Sequence, residues 1–152
     1  MLTKDYIAGF TDGEGYISIR KVKPVRKQGD ISPRYNPVFY IGNTNEKILK
    51  EIKKVYGGFI HKRKANIKRN WKIYYSLTIV GPKAFSVLED LKNHLIVKKH
   101  IAEKILEYKK YFGWKSYKRG NQYKGNHTIP KEILKKRNEI YEWCKNANKR
   151  GL

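Results

Sequence analysis

Cysteine is almost missing from this sequence of 152 residues, and what is scarce narrows the possibilities first. The single cysteine, Cys144, excludes an intrachain disulfide and any cysteine-built zinc site, so the reducing interior of a cell is the natural setting. Cys144 falls among apolar positions and reads as a core residue. The four histidines, His61, His94, His100 and His127, have no zinc or hydrolase spacing and read as surface or phosphate-contacting side chains. No run approaches the roughly 18 uncharged apolar residues of a membrane span, and no cation-led apolar leader opens the chain, so a soluble, intracellular protein without a membrane partner is expected. Acids are scarce as well: 13 Asp+Glu against 35 Lys+Arg leave a formal charge of +22. Such an excess implies a polyanionic partner, most simply nucleic acid; no small-molecule substrate is expected. The length suits one domain that buries roughly two-thirds of its unfolded surface.

Periodicity and punctuation give the order of elements. Thr3 can cap a first helix that Gly13 and Gly15 end. Residues 16–27 and 31–42 read as two strands around Gly29-Asp30, with Pro24, Pro33 and Pro37 marking edge or bulged positions. A helix over 46–56 ends at Gly57-Gly58. A second strand pair spans 59–64 and 70–80, and its later member alternates most clearly, with Trp71, Ile73, Tyr75, Leu77 and Ile79 on the core face. Helices follow over 82–93, 97–112 and 130–146, the last with Ile133, Leu134, Ile140, Tyr141 and Cys144 as its buried stripe. The polar, Gly/Lys/Tyr-rich stretch 113–128 is expected to be a mobile loop that orders on DNA. Two rounds of helix plus hairpin make an α+β domain, an antiparallel sheet with helices on one face. Residues 1–112 form its core, and 113–152 a basic loop and helical extension of the same domain.

The cations concentrate on the two hairpins: Arg20, Lys21, Lys23, Arg26, Lys27 and Arg34 on the first, Lys62, Arg63, Lys64, Lys68, Arg69 and Lys72 on the second. Between Phe59 and Ser76 there is no acid. A two-stranded ribbon fits the major groove of DNA, where Arg and Lys read guanine and Asn reads adenine. Asn36, Tyr40 and Tyr74, with Tyr16, Ser18, Tyr35, Asn66 and Asn70, add polar base or phosphate contacts.

The most informative segment is Tyr6-Ile7-Ala8-Gly9-Phe10-Thr11-Asp12-Gly13-Glu14-Gly15. Small residues at Ala8, Gly9 and Gly13 suit close approach of a second helix, the steric logic of small-residue packing seams. Glu14 stands at the helix C-terminus, where an acid is unfavourable by about 0.3–1 kcal/mol unless a cation sits there; a bound metal removes the conflict. On spacing alone the same four residues, Asp12 to Gly15, also read as a polar helix stop.

The whole string resembles the motif of the LAGLIDADG homing endonucleases in its Ala-Gly-Phe-x-Asp-Gly-Glu-Gly form. The resemblance implies that family's αββαββα fold with a DNA-binding antiparallel sheet, here with extra C-terminal helices. It further implies a divalent-metal-dependent double-strand DNA endonuclease that uses Mg²⁺, or another divalent cation such as Mn²⁺. With a single motif, two copies would pack their motif helices in a homodimer, through Ala8, Gly9, Asp12 and Gly13. They would cut a long pseudo-palindromic site and leave short 3′ overhangs. Carried over residue by residue, Glu14 and the Gly13 carbonyl hold metal, while Asn43 and Lys98 position the attacking water; Lys47 is a further basic contact. Asn43, where glutamine is common, can instead cap the following helix, together with Asn45. The implied setting is an archaeal cytoplasm or a eukaryotic organelle. An RNA maturase, or a DNA-binding protein without cleavage on the same scaffold, is the rival reading.

Overall fold

The structure, a computed structural model, describes residues 1–24, 32–112 and 129–149. Helix α1 (Lys4–Glu14) starts as expected: Thr3 is extended and its hydroxyl accepts the Tyr6 N–H at 3.2 Å. It ends later than expected, because Gly13 and Glu14 stay helical and the cap is Gly15, whose N–H donates to the Thr11 carbonyl. A Cβ at Gly15 would lie 2.6 Å from that carbonyl oxygen and 2.8 Å from the Thr11 methyl. Glycine therefore lets the chain pass from the last helical residue straight into strand β1 (Gly15–Val22).

Strand β1 pairs with β2 (Arg34–Asn43), and both are shorter than expected from the sequence. Arg26, Lys27 and Gly29-Asp30 lie outside the described residues. Helix α2 (Glu46–Tyr56) keeps its expected bounds, since the Asn45 side chain accepts the Lys47 N–H at 3.0 Å and Gly57 turns the chain away at φ 75°. Strand β3 (Phe59–Arg63) and strand β4 (Tyr74–Val80) follow, joined through a 3₁₀ turn at Ile67–Arg69. Three helices complete the fold: α3 (Pro82–Leu91), α4 (Lys99–Phe112) and α5 (Lys131–Ala147). All strand pairs are antiparallel in the order β1-β2-β4-β3. This is the α+β arrangement anticipated from the two helix–hairpin rounds.

The register sorts the strands into two faces. Ile17, Phe39 and Ile79 lie abreast, as do Ile41, Leu77 and Ile60, and they pack with Ile7, Leu49, Ile52, Leu88 and Ile105 in one core beneath the helices. The alternate residues, Tyr16, Arg20, Arg34, Asn36, Tyr40, Tyr74, Ser76, His61 and Arg63, share the opposite face. None of the four strands contains an acid. Trp71 and Ile73, expected in the core, are about two-fifths exposed, because β4 is paired only from Tyr74 onward. In α5 the stripe is narrower than expected: Ile140 and Cys144 are buried, whereas Ile133, Leu134 and Tyr141 are half-buried. Burial pushes the Cys144 thiol up to about 12, in keeping with a core residue. The buried Arg137 donates from Nε to the Tyr111 carbonyl at 3.0 Å, supplying a partner that the end of α4 needs.

One glycine of the sheet edge is required by both angle and space. Gly58 has φ 95°, and a Cβ there would come within 2.6 Å of the Ile79 side chain and 2.7 Å of the Thr78 carbonyl. Gly58→Ala is expected to cost about 2 kcal/mol or more and to lower the melting temperature by roughly 5 °C. A thermal melt shifted by less than about 2 °C would show that β3 slides to make room.

Candidate functional site

The end of α1, the start of α4 and the open face of the sheet meet in a cleft of about 480 Å³. Two interactions between helix ends build it. The segment Leu95-Ile96-Val97-Lys98 has no Ser, Thr, Asp or Asn to cap α4, yet the first N–H groups of a helix need acceptors. Asp12 provides them from across the fold: one carboxylate oxygen accepts the N–H of Ile96 at 2.7 Å and of Val97 at 3.1 Å, and the other accepts the N–H of Lys98 at 2.8 Å. In return the Lys98 ammonium donates to the Asp12 carbonyl, one of the orphan acceptors in the last turn of α1. Lys98 itself stands at the cap of α4, its carbonyl accepting from Ile101 and Ala102. Hydrogen bonds to a charged group contribute about 1.5–3 kcal/mol each, more than the roughly 0.3–1 kcal/mol that a misplaced charge costs at a helix end. An acid at the end of α1 and a lysine at the start of α4 thus offset each other's dipole conflict.

Glu14, the last residue of α1, is exposed and lines the cleft with Lys98, His100 and Asn148. Burial holds the Lys98 amine below its ordinary pKa, opposed by the negative charges of Asp12 and Glu14. Three tyrosines also line it: Tyr16, Tyr40 and Tyr74. A Cβ at Gly42 would overlap the Tyr74 ring and hydroxyl, so the bare backbone there is what seats that ring. Burial above all, then Tyr40 and the charge of Glu14, raise the Tyr74 pKa. The cleft therefore offers one carboxylate, one tethered ammonium and three tyrosines.

The expected site residues divide. Glu14, Gly13, Lys98, Tyr40 and Tyr74 come together in the cleft. Asn43 does not line it, and the cap of α2 is Asn45; the Asn43 side-chain oxygen accepts the Asn45 N–H at 2.8 Å in the turn before that cap. Arg20, Arg34, Asn36 and Arg63 share the open face with the tyrosines. Lys21 is on the helix side instead: its amine donates to Asn138 at 2.7 Å and lies over Tyr35 and Tyr141, against α5. Tyr35 is buried there too and bonds Asn138. Lys62, paired with Tyr75, likewise falls on the helix side of the sheet by register. Lys23, Lys64, Lys68 and Lys72 are exposed on connecting segments, and Arg26 and Lys27 lie outside the described residues, as do His127 and the stretch 113–128. At the tip of the second hairpin Trp71 is stacked by two guanidinium groups, Arg63 at 4.9 Å and Arg69 at 5.0 Å, an arrangement hidden from sequence because Trp71 kept the core phase of β4. His94, read as a surface side chain, pairs with Asp5.

The small-residue seam also divides. Ala8 is fully buried in the chain's own core and is unavailable to a second helix, and the Asp12 carboxylate is engaged within the chain. Gly9 and Gly13 have open space where a Cβ would stand. Tyr6, three residues before Gly9, is 49% exposed on the same helix, and Ile96 and Val97, held beside its end by Asp12, are 87% and 63% exposed. The donors here are hard oxygens, the Glu14 carboxylate and the Gly13 carbonyl, which fit a cation such as Mg²⁺ that takes one or two carboxylates and keeps its waters. Among the described residues no group of three or more His, Cys, Asp or Glu could hold a metal. Among the described residues no helix is long and apolar enough to cross a membrane.

The chain matches the model of the family described as LAGLIDADG endonuclease over residues 7–124. No curated protein matches significantly. Among solved structures, the homing endonuclease I-CvuI in complex with its target in the presence of Ca is similar at TM-score 0.73 and 17% identity, covering 98% of this chain and 83% of that one. The archaeal intron-encoded homing endonuclease I-Vdi141I complexed with DNA gives 0.70 and 21%, over 98% of this chain and 86% of that one. The LAGLIDADG homing endonuclease I-GzeII in complex with its DNA target gives 0.57 and 21%, over 90% of this chain but 44% of that one. At these identities the likeness is one of fold.

Proposed function

The chain belongs to the LAGLIDADG endonuclease family, and on that premise we propose that it is a site-specific homing endonuclease, working as a metal-dependent homodimer on a long pseudo-palindromic site. The observation that carries the reading is the convergence of exposed Glu14 and tethered Lys98 in one cleft, at the end of the motif helix and beside an acid-free sheet face. Arg20, Arg34, Asn36, Arg63 and the tyrosines suit the major groove, with Lys64, Lys68, Arg69 and Lys72 reaching phosphates from the hairpin tip.

A dimer follows from the surface. Gly9 and Gly13 admit a second helix, while exposed Tyr6, Ile96 and Val97 supply apolar area around it. A twofold axis beside α1 would set two Glu14 residues near each other, one for each DNA strand. Glu14 and the Gly13 carbonyl would hold the divalent cation, which when bound activates water and offsets charge on the phosphate. Lys98 would donate to a phosphate oxygen or orient the attacking water, and Asn43 would be left to shape the turn into α2. Cleavage across the minor groove would leave short 3′ overhangs, as in the family.

Incubated with DNA of its host locus, the protein is expected to cut both strands at one site with Mg²⁺ and to leave the DNA intact in chelator. Gel analysis of the products and their ends reads the outcome. Intact DNA in every divalent metal, together with tight binding of the intron RNA, would move the chain to the maturase reading.

A further inference from the structure

The Asp12 carboxylate accepts three consecutive backbone N–H groups of one turn, at 2.7, 3.1 and 2.8 Å, and Lys98 is the last residue of that turn. Its partners lie 84 to 86 residues away in sequence, so the contact fixes the start of α4 against the end of α1, the same helix end that carries Glu14. The Lys98 ammonium is anchored by the carbonyl of the same residue. Both ends of the Lys98 side chain, backbone and amine, are therefore referenced to Asp12.

We propose that Asp12 is a positioning residue: by clamping the 96–98 turn it sets the Lys98 amine at a fixed place relative to Glu14. The inference rests on the endonuclease reading and on Lys98 acting in the reaction. An isosteric amide at this position cannot do the same. Asparagine offers one acceptor oxygen, and its NH₂ faces N–H donors, so at least one donor of the turn is left without a partner. The turn then relaxes, and the lysine, on a flexible four-carbon stem, loses its register with the carboxylate. Asp12 has no part in binding DNA in this account. The effect belongs to kcat and not to KM.

The test is a double-mutant cycle on the full chain with Asp12→Asn, Lys98→Ala and the pair, with Asp12→Glu as the conservative variant. Single-turnover cleavage, DNA affinity in chelator, melting temperature and hydrogen exchange of the 96–98 amides are measured for each. Asp12→Asn is expected to slow cleavage by about tenfold or more while affinity stays within about threefold, and to add less than about twofold to the loss already present in Lys98→Ala, the non-additivity of a shared role. The 96–98 amides should exchange about tenfold faster in Asp12→Asn, with core amides unchanged, a readout independent of activity. Asp12→Glu, which keeps the charge, should recover part of the rate. Losses that multiply in the double variant, a rate within twofold of wild type in Asp12→Asn, or joint loss of melting temperature and affinity in both Asp12 variants would overturn the proposal. A wild type that cuts no DNA would instead refute the endonuclease reading, and the exchange rates would still report whether Asp12 holds the turn.

Discussion

Glu14→Gln is expected to abolish cleavage while making the protein slightly more stable. The carboxylate is exposed at the C-terminal end of α1, where a negative charge is unfavourable by about 0.3–1 kcal/mol, so its neutralisation should raise the melting temperature a little. A metal-bound site stabilises the transition state by several kcal/mol, and each 1.36 kcal/mol is tenfold in rate, so loss of the metal ligand should slow cutting by about a thousandfold or more. Binding in chelator should be intact or tighter, since an acid facing phosphate has been removed. Single-turnover cleavage, anisotropy and a thermal melt separate the three effects. A variant that cuts at the wild-type rate would remove Glu14 from the site.

Gly9→Leu should abolish dimer and cleavage together and leave the folded subunit unharmed. Within one chain a Cβ at Gly9 meets nothing within 4 Å, and leucine is a better helix former than glycine by about 0.8–1 kcal/mol. The substitution is harmful only if another helix lies against that face, where added side-chain volume cannot be accommodated by a close-packed seam. Sedimentation should show a monomer with native helical content and no cutting. A Gly9→Leu protein that remains dimeric and active would place the seam elsewhere, and a wild type that is monomeric with one chain bound per site would refute the shared active site.

Local signals carried most of the fold. Asn45 and the Gly57-Gly58 pair bracket α2 at its observed ends because caps act within a few residues. Charge runs were less informative, since they carry no strand phase: Lys21 and Lys62 sit in the same basic hairpins as Arg20 and Arg63 but one residue out of step, and a one-residue step is a change of face. Phase also separates Ala8 from Gly9 in α1, where neighbours point about 100° apart, so one is core and the other open. Of the cleft, the place of Glu14 at the end of α1 was legible in the motif, whereas Lys98 was reached only through the family resemblance. The Asp12 clamp was not, because no local pattern names an acceptor more than eighty residues away; the only trace was a helix start without a capping side chain.

Gly15 is at once the cap of α1 and the first residue of β1, so no loop separates the helix that would carry the seam from the sheet that would read DNA. In a pair of copies the two sheets are then a ruler of fixed length and pitch. Duplex DNA turns once in about 10–10.5 base pairs, so one added pair between half-sites swings the far half by roughly 35°. A ruler without a joint cannot follow that rotation. On the homodimer reading, the span of the target would be inherited from backbone geometry at a single glycine, while side chains on the open face would choose only the letters within it. New targets would then be reachable by substitution along the sheet, and targets of a different length would not.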